Sequence, residues 1–242
     1  MPPKIYWQTS HETGDLSDWS KSATGDTAGG NFSDEENGDL LEVGVARTGD
    51  MTRNMYAAHC KIKRAIDRSI GTRLMRWRDW QGNLIPAEAY YSTWMYVPHN
   101  YLTTAGWWIV FQFKSQRRDN STSDPTITGN LWSDGGDYVF YFWDHLKDRR
   151  YESTAKIKAG RWTHLEAKFR YDRTKGALNF WQDGKLVIER RGLCTKIRQS
   201  DLHQVWGIGN YTSGIDGHPD GAGIAEIYFD DAAICAKRKG VK

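Results

Sequence analysis

Gly106-Trp-Trp-Ile-Val-Phe-Gln-Phe-Lys-Ser-Gln116 is the stretch whose reading decides the fold. An extended chain points successive side chains to opposite faces. Trp107, Ile109, Phe111 and Phe113 then share one wholly apolar face, which requires a core. Trp108, Val110, Gln112, Lys114 and Gln116 share the other. Two amides and an amine beside an indole suit a wet groove, because a buried polar group without a partner costs roughly 1–3 kcal/mol. The expectation is a strand that closes a core on one side and floors a cleft on the other.

Outward from this strand the chain reads as β throughout. On the N-terminal side, Glu88–Val97 forms a long strand closed by Pro98, and Thr72–Trp80 alternates so that Leu74, Arg76, Arg78 and Trp80 share one face. Met55–Ile66 admits a helical turn or two on propensity. Asp39–Val45 and a short segment from Ile5 are strands, separated by a Gly/Ser/Asp/Asn-rich loop over residues 20–38. On the C-terminal side, the polar stretch Arg117–Ser133 reads as a loop at the cleft rim, followed by the aromatic strand Tyr138–Trp143. Arg161–Tyr171 alternates strictly. Leu165, Ala167, Phe169 and Tyr171 point inward, while His164, Glu166, Lys168 and Arg170 point to solvent, which gives His164 a structural role. Leu178–Gln182 and Leu186–Arg190 flank Asp183-Gly184, a strong hairpin signal. Gln204–Tyr211 and Ala225–Ala233 complete about ten to twelve short strands. No βαβ spacing and no linker occurs, so the expectation is all-β: one two-sheet antiparallel jelly-roll domain over residues 1–242.

Composition excludes several classes. A formal charge of +3 over 242 residues is too small to argue for nucleic acid. No apolar run reaches the length of a membrane span. Met1-Pro-Pro-Lys-Ile does not read as a secretion signal, and the compartment stays open, extracellular if a leader has been removed. Three cysteines allow at most one internal disulfide. The seven histidines lack zinc-ligand spacing, and phosphate-loop and hydrolase-elbow motifs are absent. The twelve Trp and twelve Tyr exceed what a core demands and provide flat faces on which sugars stack.

The polar residues suggest a chemistry. Gln112, Lys114, Arg76, Arg78 and Tyr211, brought onto one concave sheet, supply amide, cation and phenol groups for an acidic sugar. Eliminative cleavage of a uronate glycan must neutralise the carboxylate, remove the adjacent C5 proton and protonate the leaving oxygen. Gln112 with Arg76 or Arg78 would do the first, and Tyr211 would move protons. Lys114 is a poor base unless desolvated, and would anchor the carboxylate. Trp108, Gln116, Tyr138, His145 and Asn210 are candidates to contact the sugar. Glu12 and Asp230 could hold a structural calcium between the first and last strands.

Several motifs together resemble a known family. His11-Glu-Thr-Gly-Asp-Leu-Ser-Asp-Trp19, Trp107–Ser115, Gly160-Arg-Trp-Thr-His-Leu-Glu166, Phe180-Trp-Gln-Asp-Gly-Lys185 and Ile227-Tyr-Phe-Asp-Asp-Ala-Ala-Ile234 occur in the order seen in concanavalin A-like, laminin-G-like jelly rolls. Among these the chain resembles the heparin lyase I-type polysaccharide lyases. The resemblance implies a monomeric protein acting on an acidic polysaccharide, with Gln112 and Tyr211 in the positions of the family's Gln and proton-transferring Tyr. Lys114 stands where related lyases carry a His, Gly207 where they carry a Lys and Val205 where they carry a further Tyr. A lectin-like carbohydrate-binding module using the same groove without turnover is the alternative.

Overall fold

The computed structural model describes residues 3–19, 30–34, 41–47, 54–63, 70–101, 103, 106–118, 123–133, 136–215 and 223–241. Fifteen strands lie in them: β1 Ile5–Thr9, β2 Gly30–Asp34, β3 Leu41–Arg47, β4 Tyr56–Lys63, β5 Ile70–Arg76, β6 Glu88–Tyr96, β7 Trp108–Gln116, β8 Ser123–Trp132, β9 Tyr138–Asp144, β10 Arg149–Ile157, β11 Trp162–Arg170, β12 Gly176–Gln182, β13 Lys185–Leu193, β14 Gln204–Thr212 and β15 Ile224–Cys235. They form two antiparallel sheets. The front sheet runs β10-β9-β8-β7-β14-β5-β2, and the back sheet runs β13-β12-β11-β6-β15-β4-β3 with β1 added on β15. The protein is an all-β jelly-roll sandwich. Aromatic rings fill the space between the layers, with Phe113 of the front sheet stacked on Phe169 of the back sheet at 3.8 Å between centroids.

Three expectations about elements are corrected. Tyr56–Lys63 is a strand, not a helix, because Ala58, Cys60 and Ile62 alternate into the core and β15 and β3 flank it. The supposed rim loop contains β8, whose Ile127 and Leu131 are buried while its Thr and Asn side chains face outward. Gly30–Asp34 is a strand inside the long N-terminal loop; the rest of residues 20–38, except 30–34, lies outside the described residues. All three cysteines are free thiols, and burial pushes that of Cys60 up to about 12.

The back sheet corrects a fourth. His164 and Glu166 are buried, not solvent-facing. Trp94 packs on His164 at 5.0 Å between ring centroids, and the C-terminal segment folds over Glu166. Arg238 Nε donates to its carboxylate at 2.8 Å, and the backbone N–H groups of Lys239 and Gly240 donate at 2.7 and 3.3 Å. A tail remote in sequence has sealed a face whose alternation alone looked open.

The decisive strand is also irregular. On β8, Ile109 pairs with Asn130 and Phe111 with Gly129, so Val110 is an extra residue. On β14, Ile109 pairs with Tyr211 and Phe111 with Ile208. Val110 and Phe111 therefore both point into the core, together with Trp108 and Phe113. The bulge reverses the expected faces of residues 107–110 while leaving those of 112 and 114 as read.

Candidate active site

The outer face of the front sheet holds a cavity of about 700 Å³. β5 supplies Arg73, β14 supplies Tyr211, and β7 with the turn before it supplies Trp107, Ile109, Gln112 and Lys114. β8 adds Pro125, Thr128 and Asn130; β9 and its turn add Tyr141, Trp143 and His145. The cavity thus crosses five neighbouring strands.

Tyr211 is seated by its surroundings. Gly71 lies opposite it on β5, and a Cβ there would come within 2.3 Å of the ring. Trp107 packs edge-on at 4.7 Å between centroids, and the Arg73 guanidinium lies 4.7 Å from the ring centre. A cation on a phenol face is attracted by the ring quadrupole. Burial lowers the pKa of Arg73, but a guanidinium remains charged at any physiological pH.

Lys114 carries the largest electrostatic consequence. Burial, reinforced by Arg73, pulls its ammonium down to about 8, with Asp124 opposing. Asp124 is itself engaged by Arg117 at 3.1 Å and Arg198 at 2.7 Å. Among the described residues no carboxylate comes within ion-pairing distance of Lys114. Gln112 is buried beside it on β7, and its amide reaches Met75 Sδ at 3.4 Å. Gly207, paired with both Gln112 and Met75, leaves the room for that contact: a Cβ there would meet the sulfur at 2.2 Å.

The opposite wall is a hydrogen-bonded relay. Asn130 Nδ2 donates to the Thr128 carbonyl at 2.9 Å and to Thr128 Oγ1 at 3.3 Å. Thr128 Oγ1 lies 3.0 Å from His145 Nε2. The hydroxyl, which has one proton and two lone pairs, can serve both Asn130 and either tautomer of the imidazole. Burial holds His145 below its ordinary pKa, so it is neutral at pH 7.

The structure therefore brings together Gln112, Lys114, Tyr211 and His145 among the residues expected from sequence, and separates the others. Arg76 points inward, where it donates to the carbonyls of Arg78, Asp18 and Asp79 and stacks over Trp7 and Trp80. Arg78 is held by the Gly82 carbonyl at 2.7 Å. Both leave the cleft because the cavity face of β5 is the one carrying Arg73, one residue out of phase. Trp108 is buried against Tyr101 by the β7 bulge, and Trp107 takes its place in the cleft. Tyr138 is also buried beside Tyr101, where burial pushes its phenol up to about 12. Asn210 faces the core, accepting from Tyr101 and donating to the Cys60 and Ala225 carbonyls. Gln116 lies outside the cavity lining, its backbone paired to His203 and Leu202. Sequence reasoning missed Arg73, Trp107, Thr128, Asn130, Tyr141 and Trp143.

Glu12 and Asp230, the residues expected at a calcium site, both accept hydrogen bonds. Glu12 accepts the Tyr56 N–H at 2.9 Å. Asp230 accepts from Asn54 Nδ2 and the Asp231 N–H at 2.7 Å each, with His11 Nδ1 at 3.6 Å. Calcium takes roughly six to eight oxygen ligands. Among the described residues no three His, Cys, Asp or Glu gather around a common point.

A jelly-roll sandwich with an aromatic, cationic cleft across its front sheet is the architecture of a glycan-active protein. The polysaccharide lyase family model matches residues 80–233, nearly two thirds of the sequence and most of the cleft, and the chain belongs to that family. No curated protein sequence matches it. Among solved structures, an endo-β-1,4-glucuronan lyase from the fungus Trichoderma reesei superposes with a TM-score of 0.62 at 14% identity, over 85% of this chain and 94% of that one. An alginate lyase from a Chlorella virus gives 0.53 at 10% identity, over 81% and 90%. A β-glucanase catalytic domain from Podospora anserina gives 0.58 at 10% identity, over 99% and 98%. At such identities the likeness concerns the fold, which hosts more than one reaction.

Proposed function

We propose that this protein depolymerises an acidic, uronate-bearing polysaccharide by β-elimination in the front-sheet cleft. The observation that carries the reading is the desolvated Lys114 amine sharing one cavity with Arg73, Gln112 and Tyr211. Family membership and the glucuronan- and alginate-lyase folds support it. Arg73 and Gln112 hold the substrate carboxylate, which lowers the cost of charge building on it as C5 loses its proton. Lys114, neutral in a useful fraction near pH 8, takes that proton. The electron pair forms the C4–C5 double bond, and the C4–oxygen bond breaks. Tyr211 delivers a proton to the departing oxygen. Trp107, Tyr141 and Trp143 offer rings to the neighbouring sugars.

The test is incubation with alginate, glucuronan, heparin and pectin, following ultraviolet absorbance of the unsaturated product. Turnover abolished by Tyr211→Phe is the expected result. Binding without turnover, weakened by Trp107→Ala but not by Tyr211→Phe, would instead establish a lectin-like module.

A further inference from the structure

We infer that Arg150 is a second carboxylate-recognition point, through which the groove reads the charge of a sugar remote from the one that reacts. The inference rests on the function proposed above and concerns specificity. β10 lies three strands from β7 in the front sheet, which places it about 14 Å away at ordinary strand spacing. That distance is more than one sugar ring from Gln112 and Lys114, along the line the cavity follows.

Arg150 pairs in register with Trp143, a cavity-lining residue. Its guanidinium lies 3.9 Å from the ring centre of Tyr141, also in the lining, and 5.7 Å from that of the exposed Trp132. Contact with two rings restrains the guanidinium before any ligand arrives, so less entropy is lost on binding. Nε is held by Glu152 at 2.8 Å. Among the described residues no further acceptor engages Arg150, so its two terminal amino groups remain available, in the geometry that matches a carboxylate. Glu152 is more than half exposed, and a solvated pair of this kind is weak enough to share its guanidinium with an incoming anion. A sheet edge needing only protection against pairing would be served by any charge. A guanidinium seated over an aromatic residue of the cleft is a more specific arrangement.

The experiment compares kcat/KM on a ladder of oligouronates for the parent and for Arg150→Gln, with Arg150→Lys as a second variant that keeps the charge but not the planar fork. The ratio of long-chain to short-chain kcat/KM is expected to fall about tenfold in Arg150→Gln, the worth of one charge-assisted contact. Arg150→Lys should recover part of it, and the parent's preference for long chains should weaken with salt. An unchanged ratio in Arg150→Gln overturns the inference. If the parent cleaves no polyuronate, the proposed function fails on its own. Calorimetric binding of long oligouronates then decides the point: weaker affinity in Arg150→Gln supports it, and equal affinity or none overturns it.

Discussion

The outer faces of the two sheets carry similar residues to opposite ends. On the back sheet several buried or half-buried charges meet their opposites: Glu166 takes Arg238 and two backbone N–H groups, Lys168 takes Glu88 at 2.7 Å, and Lys61 with His59 flanks Glu226. On the front sheet Lys114 is stripped of water with Arg73 as its neighbour, and among the described residues no carboxylate lies within ion-pairing distance of it, Asp124 acting only from further away. One face is neutralised and serves stability. On the other, the Lys114 amine lies buried in a cavity open to a ligand. An ammonium held in low dielectric is costly, and perturbed groups of this kind gather where function requires them.

This contrast can be broken in four ways, the largest effect first. Lys114→Met should lower kcat/KM on the preferred polyuronate by about 10²–10⁴-fold, the usual worth of a general base, in steady-state assays of unsaturated product. Arg238→Ala, which leaves Glu166 buried without its cation, should cost about 3 kcal/mol in denaturant unfolding without touching turnover. The pH profile of kcat/KM should climb by about a decade per unit up to roughly pH 8 and then level, because the productive form of Lys114 is the neutral amine. A profile that falls through pH 8 would make Lys114 an anchor instead of a base. Smallest, Lys114→Met should raise neutral-pH stability by about 1–2 kcal/mol, seen as a higher Tm. The sign follows from linkage: with a folded-state value near 8 against 10.5 for an ordinary lysine, the unfolded chain binds more protons between those values. Parental stability should therefore rise from pH 8 towards 10.5, and the variant should lack that rise.

The fold was largely legible because alternation of apolar residues survives in β11 and β12, the Asp183-Gly184 hairpin is explicit, and β7 and β9 stand out as aromatic-rich apolar runs. In that turn both residues adopt the positive φ that such pairs tolerate, 48° and 79°. β8 and β10 were hidden by composition. Their cleft-facing or edge positions are Thr, Asn, Arg, Glu and Lys, which read as loop when the apolar half of the alternation is thin. The site was legible only where the strand kept its phase. Gln112 and Lys114 lie beyond the bulge on the side that happened to match, whereas Trp107 and Trp108 exchanged roles across it. Arg73 was lost to Arg76 for a related reason: a strand with arginines on both faces does not say which face is outside. Glu166 looked exposed because its cover, Arg238 to Gly240, is more than seventy residues away.

The extra residue at Val110 has a consequence for how this chain can vary. It works as a phase shifter, setting the aromatic entry of the groove and its polar floor independently of one another. Loss of the bulge at unchanged chain length would keep a perfectly good β-strand and transpose one of its halves, sending the Trp107 indole into the interior or the Gln112 amide and Lys114 amine with it. Removal of the extra residue, by contrast, would restore simple alternation with both halves on their present faces.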